Sequence, residues 1–277
     1  MTSNVLSGAL DSWQGTDMAL PDLNNNFIAD ILALGINLSP EFAPIFCQAL
    51  SWSDATLDNY KLLESHPKLP DWWSERGNKL FVPDNFSGDS LPSIGFHAGI
   101  PFPENATVFL NNRHDYSILL WGSHSLIYIS PTARIPSGHL AVGSAFTFVG
   151  PDVRSTARLN VNCRNRGAIV LTKDILIGSD VKFQSDDCHA IISLTTKKRI
   201  NPFGGIIIVR NHVWFGEKAL ILGDSYINEN CIVGASGFIR GAITPSNSIL
   251  AGAPARVTRT EVTWDSRDLA PDDVMFD

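Results

Sequence analysis

Residues 209–240 read VRNHVWFGEKALILGDSYINENCIVGASGFIR. Every sixth residue from Val209 gives Phe215, Ile221, Ile227, Val233 and Ile239. Four places after each start stand Val213, Ala219, Ser225, Cys231, Gly237 and Ile243. Polar residues and glycines fill the gaps. A helix cannot use this period, because about 3.6 residues per turn would spread these positions around it. A simple strand alternates by two and needs no turn at every sixth residue. A coil with three short flat sides does need one. One residue per side then points inward, small residues fit the corners, and successive coils stack as parallel strands. Hexapeptide repeats are the signature of such a β-helix.

A more degenerate run precedes it. From Ile129 the six-step passes Ile135, Ala141, Thr147, Val153, Leu159, Asn165, Leu171, Ile177 and Phe183, with Thr147 and Asn165 out of character. The next seat is His189, inside SDDCH at 185–189, and order then fails until Val209. That gap of 20 is two more than three hexads, so about one coil's length is expelled as a loop or the register slips. Insertions in solenoids gather on one face and often build the binding site.

The chain has 277 residues, 44% apolar and 18% charged, the profile of a globular protein. Its net charge of −7 argues against a dedicated nucleic-acid binder but leaves room for a local basic site. Cys47, Cys163, Cys188 and Cys231 form no CxxC pair, which fits a reducing cytoplasm. The first residues lack a signal-peptide pattern, and no apolar run is long enough to predict a membrane span. The spacings of His114, His124, His189 and His212 offer no three-histidine set, so no metal is expected. His139 falls on a fourth-offset corner, and His212, beside Val213, is expected to be exposed.

The stretch 209–259 resembles the hexapeptide-repeat acyltransferases, through VWFG (213–216), IVGASGFI (232–239) and ILAGAPARV (249–257). With SDDCH and RIN (199–201) upstream, the match is closer to the sugar and polysaccharide O-acetyltransferases, over about 125–264. The resemblance implies a mainly β fold, a left-handed parallel β-helix, an acetyl-coenzyme A donor, a sugar or polysaccharide acceptor and a homotrimer. Such transfer needs a base for the attacking hydroxyl, and histidine is suited to that near neutral pH. His189 is the candidate; alone it would read as a surface-loop histidine, and the interval to Trp214 matches the family's histidine–tryptophan pair. Asp187, two residues before it, would share its side in extended backbone and hold its tautomer, while Asp186 would point away unless the turn rotates it into that role. A backbone N–H near Trp214 or Gly216 would meet the oxyanion.

By the same resemblance Trp214 lies beside the thioester, and Ala235, Arg240, Arg256 and Arg259 occupy positions that contact coenzyme A. Arg240 departs from the usual Thr or Lys there. Lys197, Lys198 and Arg199 suit phosphates or an anionic acceptor, or form a solvated loop, and Asn201 orients the acceptor or the loop. The expected division is a helical cap with irregular strands over 1–105, the β-helix over 106–264 with its loop at 189–208, and a tail over 265–277. Helical patterns start at Asp22 and at Ser39-Pro40 and continue through SDATLDNYKLLESH (53–66). Trp72–Trp73 reads as a packing pair or a carbohydrate platform. Two rival functions stay open, an N-acyltransferase acting on an amino sugar and a non-catalytic scaffold.

Overall fold

A computed structural model describes residues 43–88, 91–112, 115–201 and 203–271. The helix expected from Asp22, the Ser39-Pro40 start and His114 lie outside the described residues. The described residues form a left-handed parallel β-helix of about seven turns. The first of its three sheets runs from Tyr60–Leu62 through Lys79–Pro83, Thr107–Phe109, Leu126–Ile129, Phe146–Val149, Ala168–Leu171 and Ile206–Val209 to Ser225–Ile227. The second runs from Ser93–Phe96 through Tyr116–Gly122, Ser137–Gly143, Arg158–Arg164, Val181–Gln184 and Leu220–Leu222 to Phe238–Ile239. The third carries Arg154–Ser155, Ile175–Ile177, Val213–Phe215, Ile232–Val233, Ser248–Gly252 and Ala255–Thr260. Each full coil visits the first sheet, then the third, then the second. Lys79–Pro83 already pairs in parallel with Thr107–Phe109, so the stack begins before residue 106.

The strong hexad run holds. Ile221 pairs with Ile239, 18 positions on, and Phe215, Ile221, Ile227 and Val233 are fully buried in one core. The earlier run is only partly in phase. Thr147 keeps an inward seat between Ile127 and Ile169, but Ala141 faces outward and Asn165 turns a corner at φ +56°. The second-sheet strands Ser137–Gly143 and Arg158–Arg164 are seven residues long, so Leu159 pairs with Val181, 22 positions on. The corners use left-handed backbone, which Asn and Asp tolerate best. Asp152, Asp174, His212 and Asn230 take it between the first and third sheets.

The outward face of the first sheet is covered. Helix α1 (Ala43–Ser53) sets Phe46 against Tyr128, Phe146 and Phe148. Strands such as FTFV (146–149) are therefore buried on both sides. Beyond Ser53, which ends α1, the segment 54–66 is not helical; Tyr60–Leu62 adds an antiparallel edge strand, and Tyr60 packs on Phe109 and Tyr128. The free energy of burying that ring overrides local helix propensity. Helix α2 (Trp72–Glu75) buries Trp73 in the core and packs Trp72 on Phe96 and Phe102, which is the packing-pair reading. No described helix is long and apolar enough to cross a membrane.

Phe183 and Phe215 meet edge to face at 5.1 Å in adjacent coils, both fully buried. Phe215→Ala removes that contact and leaves a cavity, so it lowers unfolding free energy by about 3–5 kcal/mol. Urea denaturation of the variant beside the wild type measures the loss.

Candidate active site

The break in rhythm is an expelled loop. Phe183 pairs with Ile221, 38 positions on, against 18 in the coils that follow. The excess leaves the stack after Gln184 and re-enters at Ile206, at the corner between the second and first sheets. The return is tight: a Cβ on Gly204 would lie 2.1 Å from the carbonyl oxygen of Asn165, and one on Gly205 2.4 Å from that of Ser185. Glycine alone fits such an approach, and Gly204 also holds φ +79°. Above this root Ile192 and Arg199 bridge antiparallel, making a small hairpin.

Asn201 fastens the hairpin. Its Oδ1 accepts the Ile191 N–H at 2.8 Å, and its Nδ2 donates to the His189 carbonyl at 2.9 Å and to Asp187 Oδ2 at 3.0 Å. Arg240 Nη2 donates to the same Asp187 oxygen at 3.1 Å. The Asn201 hydrogen bond, aided by Arg240, holds the Asp187 carboxyl below the usual carboxylate range. These contacts persist at neutral pH and are lost only as pH falls through that lowered value. Asp186 is buried and accepts from Asn165 Nδ2, from the Cys188 N–H at 2.8 Å and from the Gly204 N–H at 3.2 Å.

His189 is exposed, and among the described residues its ring has no hydrogen-bond partner. Asp187 does not bond that ring as the alternation rule expects. Alternation holds for extended backbone, whereas Cys188 between the two sits at φ +62° and turns the chain. Burial pushes the Cys188 thiol up, against its use as a nucleophile. Arg199 Nε donates to the Asn201 carbonyl at 3.0 Å, and Lys198 is exposed near the hairpin's tip.

The residues assigned to the donor fall elsewhere. Trp214 points outward from the third sheet, 40% exposed. It lies in a lateral row with Leu176, Ile232, Ile249 and Arg259. Gly216 and Ala235 stand where the chain leaves this sheet for the second, and Arg256 and Arg259 are exposed on the terminal strand. Arg240 is parted from them and joins Asp187 at the loop root. The N–H groups of Trp214 and Gly216 donate to Cys231 at 2.9 Å and Val233 at 2.7 Å, so neither is free for an oxyanion. The third sheet is the face opposite the corner that carries His189. One chain therefore does not bring His189 and Trp214 together.

Two histidines depart from expectation. His212 is half-buried, with Nδ1 2.6 Å from Asp174 Oδ2, Nε2 2.9 Å from the Trp264 carbonyl, and its ring stacked on Trp264 at 4.4 Å. It takes the corner seat one coil after Asp174, which sequence spacing alone does not reveal. His139 lies on an outward strand face, not a corner, and meets Ser117 Oγ at 2.8 Å. Among the described residues no three His, Cys, Asp or Glu side chains gather to hold a metal.

Replacing Asn201 by Ala strands the Ile191 N–H and leaves Asp187 held by Arg240 alone. Amide exchange over 189–201 then accelerates at least tenfold while the coils keep their protection. Hydrogen-exchange mass spectrometry reads both regions at once.

No protein-family model matches the sequence. Over 100 residues it is 34% identical to a protein of Escherichia coli K12 named as a lipopolysaccharide biosynthesis O-acetyl transferase, covering 33% of this chain and 50% of that one. Over 139 residues it is 26% identical to the polysialic acid O-acetyltransferase of Neisseria meningitidis, covering 42% and 63%. The chain thus spans about half to two thirds of the length of these curated relatives. The crystal structure of the polysialic acid O-acetyltransferase OatWY superposes with a TM-score of 0.53 at 23% identity, over 71% of this chain and 90% of that one. The chain is thus similar in sequence to polysaccharide O-acetyltransferases and shares its fold, a left-handed β-helix, with one of them.

Proposed function

We propose that the chain transfers an acetyl group from acetyl-coenzyme A to a hydroxyl of a sugar or polysaccharide, with His189 as general base. One observation carries this reading: an exposed imidazole without a partner among the described residues, on a corner loop whose backbone Asn201 fixes in place. The fold and the relatives' names support it. Polysialic acid, the acceptor named for one relative, is the first compound to try.

The attacking hydroxyl gives its proton to the His189 ring as its oxygen bonds the thioester carbonyl carbon. The carbon–sulfur bond then breaks, its electron pair stays on sulfur, and His189 returns the proton to the thiolate. Cys188, held as a thiol, favours this direct route over an acyl-enzyme. The oxyanion needs an unspent donor. Among the described residues the Ala235 N–H has no acceptor, and Ala235 stands one turn on from Gly216. We assign it that contact or one to the pantetheine arm.

The third sheet suits the donor. Leu176, Trp214, Ile232 and Ile249 offer an apolar strip, and Arg256 and Arg259 end it without an acidic partner among the described residues. A guanidinium matches phosphate geometry with paired donors. Because Trp214 faces away from the loop corner, the site is completed between copies. His189 of one copy faces Trp214 of the next in a homotrimer with closed symmetry. The hairpin's exposed apolar residues, Ile191, Ile192, Leu194 (83% exposed) and Phe203, give that neighbour a surface to cover. The four cysteines are free, which fits the cytoplasm.

His189→Ala retains coenzyme A binding by calorimetry and lowers kcat by about 10²–10⁴-fold. A fall of less than tenfold, with the fold intact, removes His189 from the base role. Arg259→Ala raises the KM for acetyl-coenzyme A by about 10- to 100-fold and leaves kcat in place, because the contact is far from the chemistry. Steady-state kinetics with each substrate varied in turn makes the comparison.

A further inference from the structure

We propose that the outward face of the second sheet, from Trp121 to Lys182, is an anchoring subsite for an acidic sugar residue of the acceptor. This rests on the transferase reading above and names the acceptor's class.

The face holds a groove of about 320 Å³ that includes Trp121, His139, Asn160, Asn162, Arg164 and Lys182. It spans four consecutive second-sheet strands, Tyr116–Gly122 to Val181–Gln184. At about 4.8 Å between strands it has room for more than one sugar ring along the solenoid. The groove is built rather than incidental. The Trp121 ring is sandwiched, with the His97 ring 3.7 Å away at 23° on one contact and the Arg164 guanidinium 3.6 Å away on the other. Arg164 Nε donates to Asn162 Oδ1 at 2.8 Å. Its guanidinium plane is therefore fixed, and its terminal nitrogens have no partner among the described residues.

The charge pattern selects the ligand. The chain carries a net charge of −7, yet no Asp or Glu lines this groove. Lys182 is exposed and, among the described residues, forms no ion pair. Two uncompensated cations in an acidic protein mark a site for an anion. A flat, fixed guanidinium fork suits a carboxylate bound through both oxygens. Asn160, Asn162 and His139 add polar groups of the kind that hydroxyls and amides pair with. Burial, with the nearby Arg164 charge, lowers the His139 pKa in the chain alone.

Position separates this anion from the donor's phosphates. The groove lies on coils before the loop, whereas Arg256 and Arg259 lie on the final strand. The groove's floor also touches the loop root: Asn162 Nδ2 reaches Cys188 Sγ at 3.5 Å, and Gln184 Nε2 donates to the Asp186 carbonyl at 2.6 Å. An acceptor anchored here leads toward the loop root that carries His189.

The test is calorimetry on the full chain with three probes: an α2,8-linked sialic acid tetramer, maltotetraose and coenzyme A. The wild type and His189→Ala are expected to bind the acidic tetramer alike and maltotetraose at least tenfold more weakly. Arg164→Ala is expected to weaken the acidic tetramer by about 10- to 100-fold and leave coenzyme A unchanged. Lys182→Glu, at an exposed position that should not disturb folding, is expected to weaken it in the same direction. The proposal is overturned if both tetramers bind equally, if neither binds, or if the two variants lose coenzyme A instead. Because binding is read without turnover, a failure of the His189 mechanism leaves this result standing, and the reverse also holds.

Discussion

Everything in this molecule depends on the register of its parallel coils. Once Ile221 pairs with Ile239 and Phe215 with Val233, each later residue has one seat, inward, outward or corner. Inward seats are filled by packing, and ladder N–H groups are spent on the next coil. Chemistry is left with outward faces, corners and insertions. The N–H groups of Trp214 and Gly216 illustrate the rule, since the ladder has already claimed them.

The three outward faces then have three fates. The first is closed by α1 and its aromatic contacts. The second is polar and cationic around Arg164 and Lys182. The third is apolar around Trp214, with Trp264 folding back 6.4 Å away. His189 leaves the stack where the second and first sheets meet, opposite the third. A rigid prism cannot carry that corner round to its own far face, so a site that needs both residues needs two copies.

Much of this was legible in the residues. The hexads from Val209 to Ile239 state the coil, and the lost beat after Phe183 states the loop. Runs such as FTFV, AIVL and IIIV also show which sheet is covered, because strands buried on both sides need not alternate. The earlier hexads slipped at Ala141 and Asn165 because seven-residue strands lengthen those coils, which a strict period cannot register. The Asp187–His189 pairing failed on one dihedral, at Cys188, that local pattern does not encode. The Asn201 fastening and the Asp174–His212 contact need chain closure over many residues, so spacing could name Asn201 but not its partners.

The central claim is that catalysis needs His189 and Trp214 from different copies. Subunits carrying His189→Ala and subunits carrying Trp214→Ala, distinctly tagged, are co-expressed and the mixed oligomers isolated through both tags. Each parent alone should lose most of its turnover. The account predicts that the mixed oligomers regain acetyl transfer well above either parent, because some interfaces then pair an intact histidine with an intact tryptophan. Mixed oligomers of verified composition that stay as inactive as their parents would contradict it.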